Sequence, residues 1–198
     1  MKRLSEYLKE SIFDMDEKDV EKNIKASISK FLKANYKGTF SISKTPNRNG
    51  KYVVDSRGDV SVKNKKIVSL TNNAFIWGNV RAFSCSDCNS LTSLEGSPEK
   101  VIENFYCRSC KSLTSLEGAP KEVGEDFSCR GCESLTSLKG APKEVYEYFT
   151  CCGCKSLTSL EGAPEKVGVN FYCYRCHSLT SLKGAPKKIG GELYSNLM

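Results

Sequence analysis

"FSCRGCESLTSLKGAPKEVYEY", residues 127–148, is one period of a repeat, and its reading decides the fold. The phrase recurs from Phe83 to Glu192 with a step of 22 residues. Its first cysteine falls at Cys85, Cys107, Cys129, Cys151 and Cys173, its second at Cys88, Cys110, Cys132, Cys154 and Cys176. Each pair is followed, after two residues, by "LTSL", unchanged in all five copies, and then by "EGSP", "EGAP" or "KGAP". A valine or isoleucine (Val101, Val123, Val145, Val167, Ile189) comes next. An aromatic stands two residues before each first cysteine, at Phe83, Phe105, Phe127, Phe149 and Phe171.

Within one copy, Phe127, Ser128, Cys129 and Arg130 alternate apolar and polar, the period of a strand with one buried face. Gly-Ala-Pro stops regular structure, because proline has no N–H and biases the residue before it toward extended geometry. What remains of the 22 residues is too short for a long helix, so the return path should be extended or a single 3₁₀ turn. One unit cannot bury its own apolar face. Stacked copies can, by setting strand beside strand at ~4.8 Å and leucine beside leucine.

This pattern resembles the leucine-rich repeat, whose core phrase is L-x-L-x-x-N/C-x-L. Phe127-x-Cys129-x-x-Cys132-x-x-Leu135 fits the version with cysteine in the asparagine slot and one extra residue before the next leucine. Val60-x-Val62-x-x-Lys65-x-Ile67-x-x-Leu70 fits the shorter form, departing at Lys65 as suits an end repeat. At the other end Leu193 takes the Phe slot and Ser195 the Cys slot. "SLTSLEGAP" (residues 112–120) is similar to short repeats of bacterial and tailed-phage proteins of this kind. The resemblance implies an α+β repeat fold: a solenoid with a parallel sheet of about seven short strands, a mostly non-helical convex side and an N-terminal helical cap. It covers residues 58–198, comprising an atypical first repeat (58–82), five full repeats (83–192) and a terminal half-repeat (193–198). It says almost nothing about activity.

Residues 1–57 form the remaining head. Leu4, Tyr7, Leu8 and Ile12 line one side of a helix expected over residues 2–13. A second helix is expected to start at Asp16 as N-cap, to carry Val20, Ile24, Ile28, Phe31 and Leu32 on one side, and to stop at Gly38. "TPNRNG" and "DSRGD" are turn signals around a short strand candidate, "KYVV". A repeat stack needs a cap with one polar face, and the head is read as that cap.

Charge divides a little further on, within the first repeat. Residues 1–66 hold 16 Lys and Arg against 9 Asp and Glu, whereas 67–198 hold 14 of each. Within residues 1–66, the stretch 22–66 is basic, 12 against 2. No apolar run approaches the ~20 residues of a membrane span. The segment "MKRLSEYLKESIF" has no apolar core of a secretory signal, so the expectation is a cytoplasmic protein of a bacterium or a phage-infected host, with no membrane insertion.

The eleven cysteines then read as reduced thiols or as a metal site. "CYRCH" (173–177) taken alone is a haem-attachment string, but His177 occupies a slot held by Asn89, Lys111, Glu133 and Lys155 in the other copies. C-x2-C-x18-C-x2-C lies within four-cysteine zinc spacing, yet the pairs are odd in number and coincide with the apolar slots of the repeat. They are read as a ladder of buried thiols: the first of each pair a small core residue beside Phe, the second a weak S–H donor to turn carbonyls. No metal or other cofactor is assigned.

Catalysis finds no support in the chain: one histidine in a variable slot, no G-x-S-x-G, and no phosphate-cradling loop with lysine. A small-molecule substrate is not called for. The repeat frame instead marks which side chains leave the core, and these slots have drawn tyrosine and arginine, the types that carry energy at interfaces. The expected partner-binding set is Tyr106, Arg108, Arg130, Tyr148, Cys152, Tyr172, Tyr174, Arg175 and Tyr194. Cys152 stands outside both ladders and should face solvent. The expected function is a non-catalytic module that binds a protein partner through this face. The alternatives are a nucleic-acid-binding protein using the basic 22–66 segment, with zinc in the cysteine pairs, or a structural component of a larger phage assembly.

Overall fold

The computed structural model describes residues 16–197; the helix expected over residues 2–13 lies outside them. Every Phe-x-Cys phrase becomes a two-residue strand paired in parallel with its counterpart 22 residues on. The register runs Val60 to Phe83, Phe105, Phe127, Phe149, Phe171 and Leu193. Tyr36–Lys37 joins the first of these strands antiparallel, giving an eight-stranded first sheet. The strands are short because the chain turns at once. The second residue after each first cysteine (Asp87, Ser109, Gly131, Gly153, Arg175) has φ between 56° and 74°, the left-handed region that ends extended structure.

The return path builds a second eight-stranded sheet. The valine slots pair in parallel from Val101 through Val123, Val145 and Val167 to Ile189. Longer strands precede them: Tyr52–Ser56 and Phe75–Val80 pair in parallel, and Ser41–Ile42 closes the edge antiparallel. The expected "KYVV" strand is the start of Tyr52–Ser56. The fold is thus a solenoid of stacked parallel strands with a 22-residue step, two sheets and a single described helix.

Between the sheets lie columns of identical side chains. The rings of Phe83, Phe105, Phe127, Phe149 and Phe171 stack at 5.7, 5.4, 5.1 and 5.2 Å. The two leucines of each "LTSL" from the first through the fourth copy, and the valines from Val101 to Val167, are buried. A fully buried side chain of this size contributes about 1.5–3 kcal/mol. At the turn, Ala119 N–H donates to Leu116 C=O at 2.9 Å, and the glycine between them (Gly118) has φ +85°. Outside, charges of opposite sign pair from rung to rung: Lys100 with Glu122 at 2.7 Å, Lys139 with Glu117 at 3.1 Å and Lys155 with Glu133 at 3.3 Å. Such exposed pairs stabilise by ~0–1 kcal/mol each and serve mainly to keep register.

Helix α1 (Glu17–Asn35) covers the first rung. Asp16 is its N-cap, accepting from Lys18 N–H, and Glu17 and Asp19 meet the positive end of the dipole. The helix ends before Gly38, where a stop was expected, because Tyr36 leaves it to pair with Val62. Ile28 and Leu32 pack inward, while Ile24 remains 36% exposed. Tyr36, Phe75 and Phe83 meet Trp77 edge-on beneath the helix, and Tyr36 Oη donates to Leu70 C=O at 2.7 Å. Among the described residues no helix is long and apolar enough to cross a membrane.

Candidate recognition surface

The outward side of the first sheet is built from three slots of the repeat: the residue before Phe, the residue after it, and the residue after the first cysteine. The slot before Phe is largely structural. Asn104 Oδ1 accepts from Asp126 N–H at 3.1 Å, Asp126 Oδ1 from Tyr148 N–H at 3.2 Å, and Asn170 Oδ1 from Glu192 N–H at 2.8 Å. These side chains hold the next rung in place.

The other two slots, together with Tyr148 from the slot before Phe149, carry the aromatic and cationic groups. Tyr172 and Tyr194 stack at 5.0 Å and 13°, Tyr148 lies 6.2 Å from Tyr172, and Tyr174 meets Tyr172 edge-on at 6.4 Å. Asn170 Nδ2 donates to Tyr172 Oη at 3.0 Å, which fixes the ring. One rung group away, the Arg108 guanidinium lies 4.0 Å over the Tyr106 ring, and its Nε–H donates to Ser128 Oγ at 3.0 Å. Tyr106 Oη donates to Asp126 Oδ2 at 3.5 Å. Arg108, Arg130, Tyr172 and Tyr174 come together around a depression of 220 Å³, completed by Ser128 and Thr150. Tyr194 stacks on Tyr172 beside it, Tyr148 approaches Tyr172 from the neighbouring column, Tyr106 supports Arg108, and Arg175 sits in the turn, 6.0 Å from the Tyr174 ring.

Cys152 corrects one expectation. It is on the outward side, in the column of Arg108, Arg130 and Tyr174, but it is 1% exposed rather than open to solvent. Its neighbours on the adjoining rungs, Arg130 and Tyr174, are far larger and close over the small side chain. Burial pushes its thiol up to about 11, with hydrogen bonds from Tyr174 acting the other way. It is therefore a floor to the surface and not a contact residue.

The ten remaining thiols are free and buried. The second cysteine of a pair donates to the carbonyl of the first cysteine one rung earlier: Cys110 to Cys85 at 3.2 Å, Cys132 to Cys107 at 3.1 Å, Cys154 to Cys129 at 3.3 Å and Cys176 to Cys151 at 3.1 Å. Cys151 and Cys173 point their thiols at Tyr172 and Tyr194 carbonyls, each at 3.5 Å. Burial pushes the Cys88 and Cys173 thiols up to about 12, so they are protonated near neutrality and poor nucleophiles or ligands as they stand. Among the described residues no group of three or more His, Cys, Asp or Glu converges in a way that suits a metal ion.

Two residues escaped the sequence reading. Ile102 and Tyr146 stand 54% and 60% exposed on the outside of the second sheet. With Lys100, Glu122 and Gly124 they line a recess of 280 Å³. The available signal is the slot after each valine, which reads Ile102, Gly124, Tyr146, Gly168, Gly190, bulk beside glycine. Without a second sheet in view, that slot had no face to belong to.

In comparisons with known proteins the chain matches no family model, no curated protein and no solved structure at a significant level. The surface must be read from its own chemistry.

Proposed function

We propose that this chain is a non-catalytic recognition solenoid of the leucine-rich-repeat kind that binds a protein partner through the outward side of its first sheet. The observation that carries the reading is the cluster of Tyr148, Tyr174 and Tyr194 around Tyr172, held on a rigid ladder. Tyrosine supplies a large contact area at low entropic cost, and here its rotamers are already restricted before binding. The interior gives the other half of the reason: the core slots are filled by repeated Phe, Cys, Leu and Val, so variation between rungs falls on the outside. Free thiols throughout the core fit a reducing compartment, and we place the activity in the cytoplasm of a bacterium or of its phage-infected host.

The test is capture of the partner by tagged wild-type protein compared with Tyr172→Ala/Tyr174→Ala. Both side chains are only partly buried, so the double variant should keep its thermal midpoint within a few degrees. The expected result is loss of at least about tenfold in captured partner, in line with interface tyrosines. Equal capture by a folded double variant refutes the reading. Salt separates it from the nucleic-acid alternative: a tyrosine-anchored contact weakens little with salt, whereas neutralising a run of phosphates with residues 22–66 gives a steep decline.

A further inference from the structure

We propose that the depression between Arg108 and Arg130 receives a carboxylate side chain of the protein partner; the proposal rests on the reading of this sheet face as the binding surface. What sets these two arginines apart is that both line one depression on the sheet face. Arg81 has Asp59 at 2.8 Å, and Lys100, Lys139, Lys155 and Lys166 each have a glutamate one rung away. None of the ion pairs among the described residues involves Arg108 or Arg130. Asp126, an acid on the same face, is already engaged: one oxygen accepts from Tyr148 N–H and the other from Tyr106 Oη.

Arg108 is also held ready. Its guanidinium is clamped over Tyr106 at 4.0 Å, and its Nε–H is tied at 3.0 Å to Ser128, a residue 2% exposed. The two η nitrogens have no hydrogen-bond partner among the described residues and remain for a planar, two-oxygen acceptor, the geometry that carboxylates offer. Arg130 occupies the same slot on the next rung, rooted ~4.8 Å away. Two like charges so placed repel, and one oxyanion bridging them relieves both. Thr150, Tyr172 and Tyr174 line the same 220 Å³.

The ring spacing is closed to insertion of a base between two rings. A base inserted between two rings needs roughly two stacking steps of 3.4 Å, about 6.8 Å, and Tyr172–Tyr194 at 5.0 Å and Tyr148–Tyr172 at 6.2 Å leave less. Residues 67–198 carry 14 positive and 14 negative side chains, which is no field for a run of phosphates. A single oxyanion next to an aromatic surface is the pattern of an acidic residue flanked by apolar contacts.

The experiment follows the arginine Nε–Hε resonances of the ¹⁵N-labelled protein during titration with acetyl-Gly-Glu-Gly-amide, its glutamine counterpart, and the oligonucleotide dT10. The Glu peptide should move the Arg108 and Arg130 signals together, while the Gln peptide leaves them in place. Arg108→Lys and Arg130→Lys keep the charge but lose the planar fork, and each should weaken the Glu peptide about fivefold or more. Lys121→Ala, on a residue paired with Glu99 away from this face, should have no effect. Equal shifts with both peptides, stronger response to dT10, or unchanged affinity in both lysine variants overturns the proposal. In partner capture the two claims separate. Arginine variants that capture as wild type does, while Tyr172→Ala/Tyr174→Ala fails, overturn the acidic-group assignment and leave the binding face standing. Full capture by the tyrosine variant removes both.

Discussion

At position 152 a cysteine fills the slot that holds Ser86, Arg108, Arg130 and Tyr174 on the other rungs, and its environment is set by those neighbours. A small side chain between two large ones is covered from both sides, so its thiol is buried on the outer face of a sheet. Cys176, near the end of the ladder, is 6% exposed, the most open of the eleven thiols. Iodoacetamide at pH 7.5 with peptide mass spectrometry should therefore modify Cys176 first and Cys152 only on unfolding. Labelling of Cys152 ahead of Cys176 would show that Arg130 and Tyr174 do not cover it. The same burial sets a pH dependence. Cys152 is pushed up to about 11, and Cys88 and Cys173 to about 12, while an unfolded thiol titrates near ~8.5. The unfolded chain therefore loses these protons first. The stabilisation is complete below ~8.5 and is lost as pH rises through 11 to 12. A thermal midpoint that fell steadily from pH 8.5 upward would agree with neutral buried thiols.

The turn that closes each "LTSL" is the element on which stacking depends. Gly162 has φ +85°, and a Cβ built there would stand 2.5 Å from Lys139 N on the rung before. Two costs therefore meet at one position: a left-handed backbone that a side chain disfavours by roughly 1–2 kcal/mol, and a contact with backbone that cannot rotate away. Gly162→Ala should destabilise by more than ~2 kcal/mol, seen as a drop in the denaturant midpoint with little change in slope. A loss under ~0.5 kcal/mol, the range of ordinary surface substitutions, would mean that adjacent turns are not in close contact. The glycine thus has a spacing role as well as a turning one, which its place before Ala-Pro does not reveal.

Across the whole molecule, each rung touches only the rungs on either side, so stability is a chain of nearest-neighbour terms anchored by α1 and the aromatic cluster at one end. Central rungs have two packed neighbours. Cys129 N–H and Cys151 N–H, each bonded to the next rung at 2.9 Å, lie there, while Gly190 and Gly191 lie on the last valine-sheet rung. Native-state hydrogen exchange should show Cys129 and Cys151 amides at least about tenfold slower than those of Gly190 and Gly191. Uniform protection would instead mark a single cooperative unit, with the columns coupled over their full length. A ladder of this kind holds Tyr148, Tyr172 and Tyr194 at fixed spacing without a ligand, which is why it suits recognition.

The sequence by itself determined the period, the parallel register, the buried Phe, Cys and Leu columns and the outward slots of the first sheet, because a 22-residue repeat forces equivalent atoms into equivalent places. It did not announce the second sheet, since Lys-Val and Glu-Val pairs are too short to show an alternation. It also did not show which outward side chains meet. Arg108 and Arg130 converge with Tyr172 and Tyr174, and Cys152 is sealed, through relations between rungs whose slots are filled differently. Repetition specifies what is the same from rung to rung. The candidate site lies in what differs, and contact between unlike side chains is decided only when the rungs are stacked.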